Sequence, residues 1–191
     1  MLLILASQSP RRRDILAMLG YDFLCKPANT DERLPDGMPP DEAVQCLARR
    51  KAEAVACAPE DVVLGSDTVV ALDGRILGKP KDAEDAARML RALSGKCHTV
   101  YTGVCLKNAG KCEAFAASTL VEFFPLTDRE ISAYIATGDP MDKAGAYGIQ
   151  GIGAINIRRI DGDFFTVMGL PAARTARALR TFGVYPSFKK I

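Results

Sequence analysis

The chain has no tryptophan and a single histidine, His98. One imidazole excludes sites that need two, such as an H-E-x-x-H helix or a Cys2His2 zinc centre. Six cysteines are present (Cys25, Cys46, Cys57, Cys97, Cys105 and Cys112), yet no two form a C-x-x-C pair. Neither a zinc ribbon nor a thioredoxin-like motif has support from that spacing. The cysteines read as reduced thiols of a cytoplasmic protein; one catalytic cysteine working with His98 is the alternative. No apolar run approaches the ~18 residues of a membrane span. The short run at residues 2–6 precedes its arginines, which is the wrong order for a secretory signal. A charge excess is missing as well: 25 Lys and Arg stand against 23 Asp and Glu, a formal net charge of +2. Proteins that live on nucleic acid usually carry a larger basic surplus, so neither nucleic acid nor a membrane is expected as a partner.

What is there is an ordinary globular mixture. The 191 residues are 48% apolar and 25% charged, enough to bury a sizeable core. With imidazole scarce, any chemistry falls to Asp, Glu, Lys and Arg.

Hydrophobic periodicity and turn residues divide the chain into alternating elements. Residues 2–6 (LLILA) read as a buried strand. Ser9-Pro10 opens a helix, with Ser as N-cap and Pro at the first helical position; Gly20 stops it. Residues 21–25 read as a second short strand and 28–40 as a polar, Pro-rich loop. A helix follows from Pro40 to about Cys57, with Val44, Leu47, Ala48 and Val55 inward. Residues 62–72 are a β-rich run interrupted at Ser66-Asp67-Thr68, closed by an Asp73-Gly74 hairpin turn and a return strand that ends at Lys79-Pro80. Residues 82–93 form an amphipathic helix with Ala83, Ala86, Ala87, Leu90 and Leu93 on one face. Two long strands, 97–106 and 113–124, flank an Asn108-Ala109-Gly110 turn. Thr127 to Glu130 is a capping-box match opening a helix to Ala136. The segment 137–153 is Gly-rich. Strands are expected at 154–160 and 164–168, and a last helix at 171–182. Hairpins mixed with helical crossovers indicate an α/β class with a mixed sheet.

Several polar residues stand where apolar ones are expected. Asp67 lies inside VVLGSDTVVAL, and a carboxylate in an apolar strand costs several kcal/mol unless it is paired, coordinated or opens onto a cleft. It reads as a bulge or turn residue, or as a carboxylate projected into a site as general base or metal ligand. Lys51 follows Val44, Leu47 and Ala48 at helical spacing, which puts it on the buried stripe. It either snorkels from the stripe's edge or aims an ammonium at an anion. Ser7-Gln8-Ser9-Pro10-Arg11-Arg12 carries a strand into a helix N-terminus, where free N–H groups favour phosphate. Asp142 to Gly153 is Gly-rich and lets backbone approach a ligand, but it matches neither G-x-G-x-x-G nor a P-loop. If Arg11, Lys51, Lys79 and Lys143 converge with Asp67 and Glu32, they supply cations for a polyphosphate and carboxylates for a divalent ion and an attacking water.

At these residues the chain resembles the Maf family of nucleoside triphosphate pyrophosphatases. The motifs are LILASQSPRRRDIL, RRKAEAV, VLGSDTVV, LGKPKDAEDAARMLRALSGKCHTVYTGV, GDPMDKAGAYGIQGIG and GDFFTVMGLP, in order along nearly the whole chain. The resemblance implies a single Maf-like domain over residues 1–191. Its fold would be Maf/inosine-triphosphatase-like: an elongated mixed β-sheet flanked by helices, with two lobes around a central cleft. It implies hydrolysis of a nucleoside triphosphate to monophosphate and pyrophosphate with a divalent cation, Mg or Mn, in a homodimer. Within the family, Arg11, Thr68 and Gln150 match the branch acting on dTTP and UTP. The 7-methyl-GTP branch tends to a tryptophan after S-P, which is absent here. Ser66 departs from the G-A-D of the dTTP/UTP branch.

By position, the resemblance makes Asp67 the proton acceptor for water attacking the α-phosphorus. A carboxylate titrating near ~4 is a weak base at neutral pH, so metal assistance matters; Asp67 and Glu32 are the metal candidates. Arg12, Lys51 and Lys79 would hold triphosphate oxygens, with Lys51 and Lys79 in catalytic roles. Ser7 and nearby N–H groups would cradle phosphate, Lys143 would line the substrate site, and Arg11, Thr68 and Gln150 would read the pyrimidine. Gln150 offers both a donor and an acceptor to an imide edge. His98 is expected to be structural. The competing reading is a nucleotide-binding regulator of septum formation whose effect does not need hydrolysis.

Overall fold

The computed structural model describes residues 1–35 and 37–187. Asp36, inside the predicted loop at 28–40, lies outside the described residues. In chain order the elements are β1 (Leu3–Leu5), α1 (Pro10–Met18), β2 (Leu24–Cys25), α2 (Pro40–Glu53), β3 (Val62–Leu72), β4 (Arg75–Leu77), α3 (Ala83–Leu93), β5 (Cys97–Lys107), β6 (Cys112–Phe123) and α4 (Asp128–Ala136). Short 3-10 helices follow at Asp139–Asp142, Ala144–Ala146 and Gly151–Asn156, and then β7 (Ile157–Asp161), α5 (Phe164–Met168) and α6 (Ala172–Arg180). The strands make one seven-stranded mixed sheet in the order β2-β1-β3-β5-β6-β7, with β4 paired to β3. This is the α/β class with a mixed sheet flanked by helices that the element pattern predicts. No helix among the described residues is long and apolar enough to cross a membrane.

The chain divides into two units. The first comprises Met1–Asp67, Thr102–Ala117 and Gly169–Ile191; the second comprises Thr68–Tyr101 and Ser118–Met168. Strands β3, β5 and β6 each contribute residues to both.

In the first unit β1 runs parallel to β2 and β3, with Ile4 opposite Leu24 and Val63. Helix α1 ends in a Schellman motif: Gly20 takes a φ of 78°, its N–H bonds to Ala17 O, and Tyr21 N–H bonds to Leu16 O. Helix α2 lies directly on the sheet, and glycines make that possible. A Cβ at Gly65 would run into the Ala48 carbonyl and stand 2.8 Å from Ala52 N; one at Gly103 would meet Val44 O and stand 2.8 Å from Gln45 N. Ala48 and Ala52 are fully buried beside Ile4, Ala6, Val63 and Cys105. Small residues on both surfaces thus bring the backbones of α2, β3 and β5 together.

The second unit has its own core. Val70, Met89, Leu90, Leu93, Val100, Phe123, Ile131 and Tyr147 are buried together. Each such aliphatic or aromatic side chain contributes about 1.5–3 kcal/mol by leaving water. Asp82 caps α3 by accepting from Asp85 N–H, and Thr127 and Glu130 form the predicted capping box on α4. The hairpin turn between β3 and β4 has Asp73 and Gly74 at positive φ, as a type I′ turn requires. His98 is buried here. Its Nε2 lies 2.7 Å from Tyr147 Oη, and its ring packs edge-to-face on Phe123 and Tyr147.

Five expectations need correction. The run 62–72 is one uninterrupted strand, because the Asp67 carboxylate is paired rather than turned out. The second strand holds only Leu24–Cys25: the N–H of Tyr21 is spent closing α1. Helix α2 stops at Glu53, capped by Ala54, short of Cys57. Residues 154–156 belong to a 3-10 helix, so β7 begins at Ile157. Residues 164–168 are helical, not extended. The Asp163 carboxylate accepts from Phe165 N–H, Thr166 N–H and Thr166 Oγ1–H, and this N-cap overrides the β-preference of FFTVM.

Candidate active site

Alternation along β3 sends Val63, Gly65 and Asp67 to the α2 side and Ser66 to the other. One helical turn on from the Ala48 contact, Lys51 reaches the same face. Its Nζ lies 2.5 Å from Asp67 Oδ1 and 2.7 Å from Glu32 Oε1. The Lys51 and Asp67 side chains are only 13% and 12% exposed, while Glu32 is 61% exposed. A buried carboxylate in an apolar strand is thus compensated by an ammonium from the neighbouring helix, with a second carboxylate at its solvent side. Lys51 therefore does not snorkel away from the stripe; it ends on the anion.

On the opposite face of β3 lies a second network. Ser66, fully buried, donates to Gly169 O at 3.0 Å. Arg12 Nε donates to the same carbonyl at 2.8 Å, and its Nη1 donates to Ser7 Oγ at 3.2 Å. Ser7 Oγ also accepts from Ser9 N–H at 3.1 Å. Gly169 has a φ of 112°, open in practice only to glycine. Burial lowers the proton affinity of the Arg12 guanidinium, with the Asp67 carboxylate opposing that effect and Arg11 adding to it. Four stretches of chain (the β1–α1 turn, α1, β3 and the approach to α6) are tied at one point behind Asp67.

The structure places Ser7, Arg12, Glu32, Lys51 and Asp67 in the first unit: Lys51, Asp67 and Glu32 form one cluster and Ser7 and Arg12 another, with Arg12 near enough to feel the charges of Asp67 and Glu32. Arg11 is half-buried beside them in sequence. Thr68, Lys79, Lys143 and Gln150 belong to the second unit. Lys79 follows β4 and is exposed, Thr68 is half-buried on β3, and Gln150 is exposed at the start of a 3-10 helix. Lys143 is held by a main-chain carbonyl and two carboxylates: its Nζ donates to Asp139 O at 2.5 Å, Asp139 Oδ1 at 3.1 Å and Asp142 Oδ1 at 2.7 Å. Asp139 Oδ2 in turn accepts from Tyr134 Oη–H at 2.7 Å.

Sequence reasoning missed the carbonyl of Gly169 and the roles of Ser66, Tyr134 and Asp139. A serine in an otherwise apolar strand was a usable signal for the first network. For the second the signal was a tyrosine on the inward face of α4 just before a Gly-Asp-Pro turn.

For a divalent cation, the donors on hand are the carboxylates of Asp67 and Glu32. No group of three His, Cys, Asp or Glu able to hold a metal occurs among the described residues. Hard oxygen donors in that number suit a Mg2+-like ion that takes one or two carboxylates and fills its remaining positions with water and substrate phosphate.

Comparison with known proteins gives consistent findings. A dTTP/UTP pyrophosphatase from Bacillus velezensis is 51% identical over 183 residues, covering 95% of this chain and 97% of that protein. One from Anaeromyxobacter dehalogenans is 52% identical over 186 residues, covering 95% and 94%. Among solved structures, the Ham1 protein of Staphylococcus aureus aligns with a TM-score of 0.50 at 16% identity, over 82% of this chain and 80% of that one. That likeness supports the mixed α/β fold. Residues 2–182 match the family described as Maf-like protein. The chain belongs to the Maf-like protein family.

Proposed function

We propose that this chain hydrolyses dTTP and UTP to the nucleoside monophosphate and pyrophosphate. The relatives named dTTP/UTP pyrophosphatase share about half of its residues over nearly its full length. The observation that carries the reading to particular atoms is the Asp67–Lys51–Glu32 cluster. It is a carboxylate built into a buried strand and held by a lysine whose position the fold dictates.

The mechanism uses that arrangement. A water oxygen attacks the α-phosphorus; the bond from that phosphorus to the oxygen bridging the α and β phosphates breaks, and pyrophosphate leaves with the electron pair. Asp67 takes the proton from the water. Lys51, ion-paired to the carboxylate, holds it in place, and its ammonium stabilises negative charge gathering on the phosphates. Ser7 and the amides at the start of α1 hold phosphate oxygens, while Arg12 fixes Ser7 from behind. A divalent cation, Mg2+ or Mn2+, would be held by Asp67 and Glu32 and supply charge neutralisation on the triphosphate. Arg11, Thr68 and Gln150 read the pyrimidine and Lys79 and Lys143 bind phosphate; the support for these assignments is the motif match. The reading includes a cytoplasmic location, supported by composition and cysteine usage, and a homodimer, supported by the resemblance.

The test is pyrophosphate release from a panel of nucleotides. Preference for dTTP and UTP, abolished in Asp67→Asn, is expected. Preference for 7-methyl-GTP would overturn the branch assignment, and undiminished turnover in Asp67→Asn would overturn the role of the carboxylate.

A further inference from the structure

We propose that Tyr134 is a specificity-positioning residue whose hydroxyl fixes both ends of the loop that carries Gln150. The inference rests on the proposed function, in which Gln150 reads the pyrimidine. Tyr134 is on the inward face of α4 and 4% exposed. Its hydroxyl donates to Asp139 Oδ2 at 2.7 Å and accepts from Gly148 N–H at 3.2 Å. The far end of the loop packs on the same oxygen: a Cβ at Gly153 would stand 2.5 Å from it. One buried oxygen therefore meets residues 148 and 153, with Gln150 between them.

The rest of the enclosure points the same way. Lys143, anchored on Asp139 and Asp142, lies so close under Gly148 that a Cβ there would stand 2.8 Å from its Cε. Gly145 packs against Val70 at 3.0 Å by the same measure, and its N–H bonds to Gly78 O. Glycine at these points lets the loop fall onto fixed groups. Gln150 itself is exposed, and Gly151 after it has a φ of 64°. The amide's direction is thus set by where the loop's two ends are pinned. Burial and the adjoining Asp139 carboxylate both favour the protonated phenol, so the hydroxyl keeps its donor. A site that selects a base by hydrogen bonds loses discrimination when its donor and acceptor are no longer held in place.

The experiment is steady-state pyrophosphate release by the full chain and its Tyr134→Phe variant, with dTTP, UTP and CTP. Phenylalanine keeps the ring and removes only the hydroxyl. The expected result is a rise of about tenfold in KM for dTTP and UTP, kcat within about twofold, and a smaller preference for UTP over CTP. Because Tyr134 acts through Gln150, adding Tyr134→Phe to Gln150→Ala should raise KM no further. A purely structural tyrosine would lower thermal stability while leaving KM and base preference as they were, or would give penalties that add in the double variant; either outcome overturns the proposal. Gly153→Ala, whose methyl would press on the Gly148 carbonyl and on the same hydroxyl, disturbs the pinned loop from its other end and gives the second route if Tyr134→Phe does not fold, with the same rise in KM expected. An active wild type with an unaltered variant overturns this inference alone. A wild type inactive on dTTP and UTP overturns the pyrophosphatase reading and this inference with it.

Discussion

The ammonium of Lys51 stands 2.5 Å from Oδ1 of Asp67, although the two residues are sixteen positions apart and lie on different elements. The pairing exists because Gly65, two residues before Asp67, lets the backbone of α2 rest on β3. Sequence neighbours thus decide how two distant charges meet. The ion pair in turn lets an aspartate remain inside an apolar strand.

Replacing Asp67 by Asn removes the base and keeps the shape. A loss of about 10²- to 10⁴-fold in kcat is expected, with little change in thermal midpoint, since Lys51 retains Glu32 at 2.7 Å. Stopped pyrophosphate-release assays beside a calorimetric scan measure both. A large drop in stability with normal residual turnover would assign Asp67 to the fold instead of the chemistry.

Gly65→Ala tests the close approach of α2 to β3. The added methyl meets helix backbone, which cannot rotate away, so overpacking should cost about 1–3 kcal/mol. It should also displace Lys51 from Asp67 and lower kcat. Gly78→Ala is the comparison, because among the described residues nothing lies within 4 Å of a Cβ there. Equal melting points for the two variants would show that the helix does not depend on the glycine.

Ser66→Ala removes one of the two donors on Gly169 O and leaves Arg12 on it. A loss of about 0.5–1.5 kcal/mol is expected, or roughly 2–5 °C for a chain of this size. Arg12→Met should cost more, because it unties Ser7 and takes a buried positive charge from beside Asp67. Chemical denaturation of both variants gives the ranking; a milder effect from Arg12→Met would contradict the network.

Burial pushes the pKa of His98 down to about 4 from 6.5. Its Nδ1 is buried and has no hydrogen-bond partner among the described residues, so the imidazolium would bring in a proton with nowhere there to donate. The folded state binds this proton less readily than the unfolded state. Stability from the neutral ring is therefore full above pH 6.5 and is lost as pH falls toward 4, by roughly 3 kcal/mol in all. His98→Gln should flatten that part of the profile relative to wild type. Urea midpoints at several pH values between 7 and 4 test it, and parallel profiles for the two proteins would rule the histidine out.

Asp163→Ala should destabilise by about 1–2 kcal/mol by removing the cap of α5. Amide exchange at Phe165 and Thr166 should accelerate with it. Unchanged exchange there would mean that the five-residue helix is held by packing alone.

Much of the fold was legible locally. The strand at residues 3–5, the Ser9-Pro10 helix start, the capping box at Thr127 and the Asp73-Gly74 turn are written in adjacent residues, because caps and turns are satisfied by groups a few positions away. The failures have the same origin seen from the other side. FFTVM has strand-forming residues, and only the three bonds to Asp163 make it helical. Tyr21 looks extended, but its N–H closes the helix before it.

By itself the sequence determined the class, the near-neutral charge, the scarcity of imidazole and the misplaced Asp67 and Lys51; composition and spacing are properties of the chain alone. Only the tertiary structure decided that those two residues neutralise each other with Glu32 at their edge. It also decided that Arg12 and Ser66 share the carbonyl of Gly169, and that Tyr134 holds both ends of the Gln150 loop. Each is a contact between distant segments, set by how closely glycine and alanine let backbones approach. No single-chain periodicity encodes that distance.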